Sequence, residues 1–240
     1  MNTNTVDSNV ISFKVFSEEE HEVWRQLCAM QMKNLEGRVS KHYLEGWKAL
    51  GLTTDRIPDF VEVNKRLKEL NGWEVIMTNI VYEDNISWIS SLADKKFRIT
   101  DFIRDIKDIE YTPLPDIFHD VFGHLPFLGV PQYARILEKF GHAAIKAREK
   151  NEEQETAVSR LGWYGYEFGF MREEGELKAF GTGLVSSCGE LAYAQSDKVQ
   201  KVPYDMEEVE QTPISPEKYH EKLFVLESLD QLELAAEKYL

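Results

Sequence analysis

Two histidines five residues apart, His119 and His124, constrain this chain more than any other feature of its sequence. A carboxylate follows at Glu167, between Tyr166 and Phe168. A carboxylate buried among aromatic rings is costly unless it is paired or bound to a metal. Two imidazoles and one carboxylate make up the facial triad typical of iron(II) sites that keep open coordination positions. A metal site would require the fold to bring Glu167 to the histidine pair.

The histidine spacing requires a departure from a regular helix. Five steps of about 100° leave the two rings roughly 140° apart on an α-helix, so one ion reaches both only if the helix deforms or ends between them. Gly123 permits a left-handed residue that would end the helix, and Pro126 would prevent it from resuming. We therefore predict that His119 lies in the last turn of a short helix and that His124 lies just past its end.

The spacing alone leaves other interpretations open. Zinc proteases place two histidines at i and i+4 of a helix with a glutamate base between them. Here the separation is five, and Asp120, with its shorter reach, stands where the glutamate would stand. The remaining choice is between a metal site and two ordinary, partly buried histidines.

Bulk properties favour one globular enzyme domain. The formal charge of −14 argues against nucleic acid and anionic membranes as partners, since both require basic patches. Two cysteines, Cys28 and Cys188, give no disulfide framework and are expected to be reduced. The sequence shows no signal peptide and no long apolar span. We predict a flexible tail over residues 1–16, a single catalytic domain over 17–240 and a cytoplasmic location.

The periodicity predicts a mainly α chain with short β-strands, of the α+β class. Ser17 opens a capping box before a long helical region, with a break at Gly37 and an end at Gly51. The further predicted helices cover about 59–70, 86–93, 131–150 and 156–171 and a segment after Ser228. The predicted strands lie within 73–82, 97–104, 177–180 and 224–226.

Three motifs, in this order, resemble the pterin-dependent aromatic amino acid hydroxylases, and most closely their short bacterial phenylalanine 4-hydroxylase members. The likeness extends from about Trp24 to Leu226. It implies the catalytic-domain fold of that family, a helical basket around an iron site. The motifs are Pro115-Asp116-x-x-His119-Asp120-x-x-Gly123-His124, Trp163-x-x-x-Glu167-Phe168-Gly169 and Gly183-Leu184-x-Ser186-Ser187-x-Gly189-Glu190.

The resemblance implies an iron(II) ion held by His119, His124 and Glu167, with no catalytic residue beyond these ligands. It implies tetrahydrobiopterin or a related reduced pterin, O2 and a free aromatic amino acid, with phenylalanine converted to tyrosine as the first expectation. Tryptophan 5-hydroxylation and phenylalanine 3-hydroxylation are alternatives within the family. A zinc hydrolase and a non-catalytic aromatic amino acid binder are more distant ones. We expect a monomer, since no tetramerisation arm is evident.

The resemblance also assigns residues to the substrate. Arg104, eight residues before Thr112, would bind its carboxylate, and Asp116 would hold the guanidinium. Ser186 would help to hold the same carboxylate, beside a capping role for Ser186 or Ser187. The other residues expected to contact the amino acid are Thr112, Pro115, Trp163 and Phe168.

The pterin contacts follow less directly. Trp88 stands where a family phenylalanine stacks on the pterin, although core packing explains a tryptophan equally well. The backbone from Val81 to Glu83 would hydrogen-bond the pterin ring. Asp120 stands where many relatives have a glutamate linked to the cofactor through water.

Four positions depart from the family pattern. Many relatives have tyrosine where this chain has Gly162 and glutamate where it has Leu114, and Gly165 and Tyr166 replace a small and a β-branched residue. These positions surround the expected pocket and spare the ligands. The substrate ring and the hydroxylated position therefore stay open.

Overall fold

Helices supply most of the framework in the computed structural model, which describes residues 12–79, 85–109 and 114–240. The long α6 has the predicted bounds, and the mainly helical α+β class is confirmed. The helices are α1 Glu18–Leu35, α2 Lys41–Ala49, α3 Phe60–Leu70, α4 Asn85–Ser91, α5 Leu125–Leu128, α6 Pro131–Lys150, α7 Glu152–Gly162, α8 Thr182–Ser186, α9 Cys188–Gln195, α10 Met206–Gln211 and α11 Leu229–Glu237.

The first helical region has the start and the break that its sequence predicts. The Ser17 hydroxyl accepts the Glu20 N–H at 3.2 Å, and the Ser17 N–H donates to the Glu20 carboxylate at 2.8 Å. Gly37 has φ +69°, a left-handed conformation that glycine adopts without a Cβ penalty. The chain there leaves α1 and turns into α2.

Short strands form two small sheets. β1 Glu74–Thr78 and β2 Lys96–Thr100 pair in parallel. A second sheet has the order β4-β3-β6-β5, with β3 and β4 antiparallel and the other pairs parallel. Its strands are β3 Phe170–Glu173, β4 Glu176–Ala179, β5 Gln200–Pro203 and β6 Lys222–Leu226.

One helix prediction is wrong at both ends. The segment predicted as a helix over 156–171 begins earlier, because Asn151 caps α7 by accepting the Gln154 N–H at 2.9 Å. It also ends before Phe170, where β3 pairs with β4 and β6. Sheet pairing therefore overrides the helical pattern at the end of this segment.

The hydrophobic core lies beneath the histidine pair. Phe118 stacks on Phe122 with ring centroids 4.6 Å apart, and Trp24 of α1 meets Phe118 edge-on at 5.5 Å. Burial of each such ring contributes about 1.5–3 kcal/mol. Packing of Phe118 and Phe122 in the core thus fixes the segment that carries the two histidines.

Part of the predicted tail contacts the domain. The Phe13 ring lies 5.3 Å from the Phe60 ring, and Lys14 pairs with Glu20 at 2.7 Å. The domain boundary itself stays a prediction. Among the residues that the structure describes, no helix has both the length and the apolar character needed to cross a membrane.

Candidate active site

The histidine turn, Phe118–His124, is a π-helix. Its i→i+5 hydrogen bonds bring residues five apart onto one face, and such turns are frequent at functional sites. The two imidazoles therefore lie together, with ring centroids 4.9 Å apart. The prediction that the helix ends at Gly123 is wrong. The chain continues into α5, where Pro126 lies in the first turn, a position that tolerates proline.

Gly123 serves close packing rather than a left-handed turn. A Cβ there would lie 3.1 Å from the Thr182 carbonyl oxygen and 3.3 Å from the Ser186 Cβ. The missing side chain lets α8 approach the histidine turn closely. This approach brings the hydroxyls of Thr182 and Ser186 to the side chains of His119, His124 and Glu167.

The glutamate turn, Trp163–Glu167, is a second π-helix. The Phe168 N–H donates to the Trp163 carbonyl, five residues back, at 2.8 Å. The turn extends α7 before the chain enters β3. The segment that carries His119 and His124 and the segment that carries Glu167 thus both depart from α-helical geometry.

The three predicted donor side chains converge. Their ligand atoms lie within 4.8 Å of one another. His119 Nε2 is 3.2 Å from His124 Nε2 and 3.4 Å from Glu167 Oε1, and His124 Nε2 is 3.3 Å from Glu167 Oε2. Donors about 2.0–2.2 Å from one ion at right angles to each other are separated by about 3 Å. The triangle therefore fits one face of a metal coordination sphere.

Helix α8 holds this triangle with two hydroxyls. Thr182 donates to Glu167 Oε2 at 2.7 Å, and its oxygen lies 3.2 Å from His124 Nε2. Ser186 Oγ lies 2.8 Å from His119 Nδ1, which leaves His119 Nε2 to face the triangle. Such outer contacts fix ring orientation and tautomer in metal sites.

Burial favours neutral side chains when no ion is present. It lowers the pKa of His119 to about 4 and that of His124 well below its ordinary value. It raises the pKa of Glu167 to about 8, against the opposing hydrogen bond from Thr182. Neutral imidazoles are the form that binds a cation, and a bound cation favours the carboxylate.

Arg104 and Asp116 form a bidentate pair. Arg104 Nε and Nη2 donate to Asp116 Oδ2 and Oδ1, each at 2.9 Å, and the Arg104 backbone N–H donates to Oδ2 at 2.9 Å. Asp116 is fully buried. The fork is therefore rigid, and Nη1 is the guanidinium nitrogen that Asp116 does not use.

Asp120 and Trp88 both contact residues of β2. The Thr100 N–H and hydroxyl donate to Asp120 Oδ2 at 2.7 and 2.9 Å, while burial raises the pKa of Asp120 to about 7. The Trp88 ring lies 5.6 Å from the His124 ring and 5.7 Å from the Phe97 ring. Trp88 is half-buried, so it combines a packing contact with an accessible surface.

Trp163 and Phe168 form an aromatic cluster next to Glu167. Their ring centroids are 4.8 Å apart. The Trp163 indole N–H donates to His220 Nε2 at 2.9 Å, and His220 also packs on Phe168 at 4.7 Å. This cluster supplies the apolar side of the site.

The unusual pair Gly162 and Tyr166 has a steric explanation. A Cβ on Gly162 would lie 2.5 Å from the Tyr166 hydroxyl. Tyr166 is buried between Phe140, at 5.2 Å, and Trp88, at 6.4 Å. The tyrosine ring thus occupies the space that a side chain at position 162 would need.

Some predicted site residues cannot be placed, and others were not anticipated. Val81, Glu83 and Thr112 lie outside the described residues, while Pro115 is described and exposed. Sequence reasoning missed Thr100, Thr182 and His220. Thr182 stands between two glycines beside the third motif, which was the one available signal; Thr100 and His220 had none.

Comparison with known proteins agrees with this geometry. Residues 5–240 match the family described as biopterin-dependent aromatic amino acid hydroxylase. A phenylalanine-4-hydroxylase of Mesorhizobium japonicum is 39% identical over 221 residues, covering 90% of this chain and 78% of that protein. The phenylalanine-4-hydroxylase of Vibrio cholerae is 34% identical over 218 residues, covering 90% and 74%.

A solved structure gives the same result. Phenylalanine hydroxylase from Chromobacterium violaceum, with bound iron(III) and the oxidised cofactor 7,8-dihydrobiopterin, superposes with a TM-score of 0.85 at 32% identity. The match covers 92% of this chain and 80% of that one. The chain therefore belongs to the biopterin-dependent aromatic amino acid hydroxylases, a family of enzymes.

Proposed function

We propose that this enzyme converts L-phenylalanine to L-tyrosine with O2 and a reduced pterin such as tetrahydrobiopterin. One atom of O2 enters the ring, and the other is reduced to the oxidation level of water by the two electrons that the pterin supplies. The observation that carries the proposal is the triangle of His119, His124 and Glu167, whose donor atoms lie within 4.8 Å. The two bacterial relatives, which bear the name phenylalanine-4-hydroxylase, support the choice of substrate.

In this proposal His119, His124 and Glu167 hold iron(II), and Thr182 and Ser186 keep the donors in place. Activation of oxygen is the chemistry that iron and reduced pterin supply when bound. The protein contributes position and the exclusion of water. Two histidines and one carboxylate are the donor set typical of iron(II) sites that keep coordination positions for small ligands.

Arg104 binds the substrate carboxylate through the part of its guanidinium that Asp116 leaves unused. Ser186 assists at this end of the amino acid, whereas the expected contact of Thr112 falls outside the described residues and stays a prediction. Trp163 and Phe168 pack on the substrate ring, with Pro115 at the edge. Because Asp116 is fully buried, the Arg104 fork cannot swing away without stranding a charge.

A bound pterin would stack on the indole of Trp88, beside His124. Asp120 contributes a carboxyl oriented by Thr100. The expected contact between the backbone from Val81 to Glu83 and the pterin ring falls outside the described residues and stays a prediction. The assignment of Trp88 uses its half-buried ring and the 5.6 Å between its centroid and that of His124.

A single set of incubations tests the function. Iron-loaded protein, tetrahydrobiopterin and air are combined with phenylalanine, tyrosine or tryptophan, and the products are identified by mass spectrometry and chromatography. We expect tyrosine from phenylalanine. 3-Hydroxyphenylalanine or 5-hydroxytryptophan as the main product would contradict the substrate assignment while leaving the class intact.

Protein loaded with zinc and protein without metal are the matched controls. Both should be inactive with pterin and phenylalanine. Turnover by the zinc form, or saturable phenylalanine binding without any product in the iron form, would contradict the proposed oxygenase activity.

A further inference from the structure

His220 lies in the segment between α10 and β6 and reaches behind the aromatic cluster. Its side chain is buried, and its ring centroid lies 4.7 Å from that of Phe168, 5.5 Å from that of Tyr164 and 5.9 Å from that of Trp163. It contacts none of the three ligand side chains through a hydrogen bond or ion pair that the structure records. Its ring contacts are with Trp163, Tyr164 and Phe168, which flank Glu167 in the sequence.

The hydrogen bond between Trp163 and His220 has a fixed direction. An indole N–H only donates, so His220 Nε2 must accept at the 2.9 Å separation. The imidazole proton is then on Nδ1, which is buried and has no partner among the described residues. Burial lowers the pKa of His220 to about 4, which keeps Nε2 unprotonated near neutral pH.

Ring contacts alone would fix the Trp163 indole less firmly than ring contacts with a hydrogen bond. Trp163 is held on one side by Phe168, at 4.8 Å and 39° between ring planes. Ring contacts of this kind restrict position but leave rotation in the ring plane weakly determined. A directional hydrogen bond removes that freedom, and a buried N–H left without an acceptor is costly.

We propose that His220 is a positioning residue that orients Trp163, and through Trp163 the aromatic ring of a bound amino acid. This proposal rests on the proposed function, because it takes Trp163 and Phe168 as the surface that receives the substrate ring. The angle of the Trp163 ring sets where the substrate ring lies relative to the iron ligands. His220 therefore controls affinity for the aromatic ring and the position that is hydroxylated.

The test compares His220→Leu with His220→Gln in full-length protein. Leucine removes the acceptor, whereas glutamine supplies a carbonyl oxygen near the same place. With iron-loaded enzyme we expect His220→Leu to raise the KM for phenylalanine about tenfold, with a smaller change in kcat, and to lower the fraction of oxidised pterin that yields tyrosine. His220→Gln should restore most of the KM, and iron content should stay unchanged in both.

Tyr164→Phe is the matched control for loosening of the segment. The Tyr164 hydroxyl donates to the Pro213 carbonyl at 2.6 Å, so this variant loses a tie to the same segment and keeps the Trp163–His220 bond. An increase in KM for Tyr164→Phe equal to that of His220→Leu would overturn the proposal. So would equal KM values for His220→Leu and His220→Gln.

Two further measurements separate this proposal from the function. Protein labelled with 15N-tryptophan, assigned with Trp163→Phe, should show a Trp163 indole N–H protected from exchange in the wild type and in His220→Gln but not in His220→Leu. Calorimetry should show phenylalanine binding by the wild type and weaker binding by His220→Leu. No binding of any aromatic amino acid by the wild type would refute the function, whereas equal binding by both proteins would refute the role of His220.

Discussion

The proposed ligand side (His119, His124 and Glu167) and the aromatic side (Trp163 and Phe168) are held by different interactions. On the ligand side, Thr182 contacts Glu167 and His124, and Ser186 contacts His119, all within 3.2 Å. On the aromatic side, Trp163 and Phe168 are held by ring contacts and one hydrogen bond to His220. The contacts on the ligand side are directional hydrogen bonds between polar atoms. Those on the aromatic side depend mostly on the shapes of the packed rings.

The difference indicates where change is tolerated. Loss of one hydroxyl on the ligand side leaves a buried polar atom unpaired, at a cost of about 1–3 kcal/mol. Swaps on the aromatic side that conserve volume cost less than about 1.5 kcal/mol. We therefore expect substrate preference to vary through the aromatic side while the ligand side keeps its metal.

The largest effect expected is that of Glu167→Ala. It removes one vertex of the ligand triangle, so iron content after desalting and hydroxylation should both fall to background. Glu227→Ala, at the exposed ion pair with Arg172, is the control and should retain iron, because such pairs contribute little. Full iron content in Glu167→Ala would show that the ligand set is wrong.

The second prediction concerns the support from α8. Thr182→Val keeps the side-chain shape but removes the hydroxyl that donates to Glu167, so iron affinity should fall about 10–100-fold. A competition titration with a chelator measures this change. Thr212→Val removes a hydroxyl bonded to the Glu208 carbonyl on α10 and should leave the affinity unchanged. Equal affinities for both variants would mean that the ligand side does not depend on its outer contacts.

The third prediction concerns the steric fit between Gly162 and Tyr166, which lie next to Trp163 and Glu167 in the sequence. Gly162→Ala places a Cβ 2.5 Å from the Tyr166 hydroxyl and should lower the free energy of unfolding by about 1–3 kcal/mol in urea. Tyr166→Val should relieve the clash, so the double variant should be more stable than the sum of the single effects predicts. Additive effects would show that the two positions are independent.

The smallest effect is a pH dependence of stability that arises from His220. The ordinary histidine pKa is 6.5, whereas that of folded His220 is about 4. Between these values the unfolded chain binds more protons, so the free energy of unfolding decreases as pH falls. From pH 7.5 to 5.5 the wild type should lose about 1 kcal/mol more than His220→Gln. Parallel urea curves for the two proteins at both pH values would contradict this assignment.

Much of the fold follows from local sequence signals. The capping box at Ser17, the break at Gly37 and the helix starting at Pro131 depend on residues close in sequence, and the structure has all three. The exchange of helix for strand near Phe170 depends on pairing with β4 and β6, which no local pattern contains. Tertiary pairing decides such segments.

The site was predictable in composition but not in local geometry. Residue types and motifs were enough to name His119, His124 and Glu167, whose donor atoms converge in the structure; their role as metal ligands stays a proposal. The π-helical turns could not, because Gly123 and Pro126 favour a helix end when only nearest neighbours are considered. Thr182 and His220 act through partners 15 and 57 residues away, and only the folded chain brings them together.

The donor set of the triangle also has a consequence for metal selection. Hydroxyls of α8 contact all three side chains, and the same two nitrogens and one oxygen would be offered to any divalent first-row cation. Affinity among such ions follows an order in which copper, nickel and cobalt bind more tightly than iron(II). The metal that occupies the site must then depend on which ions the surroundings supply. Protein produced in a medium rich in another transition metal should be folded but inactive as a hydroxylase.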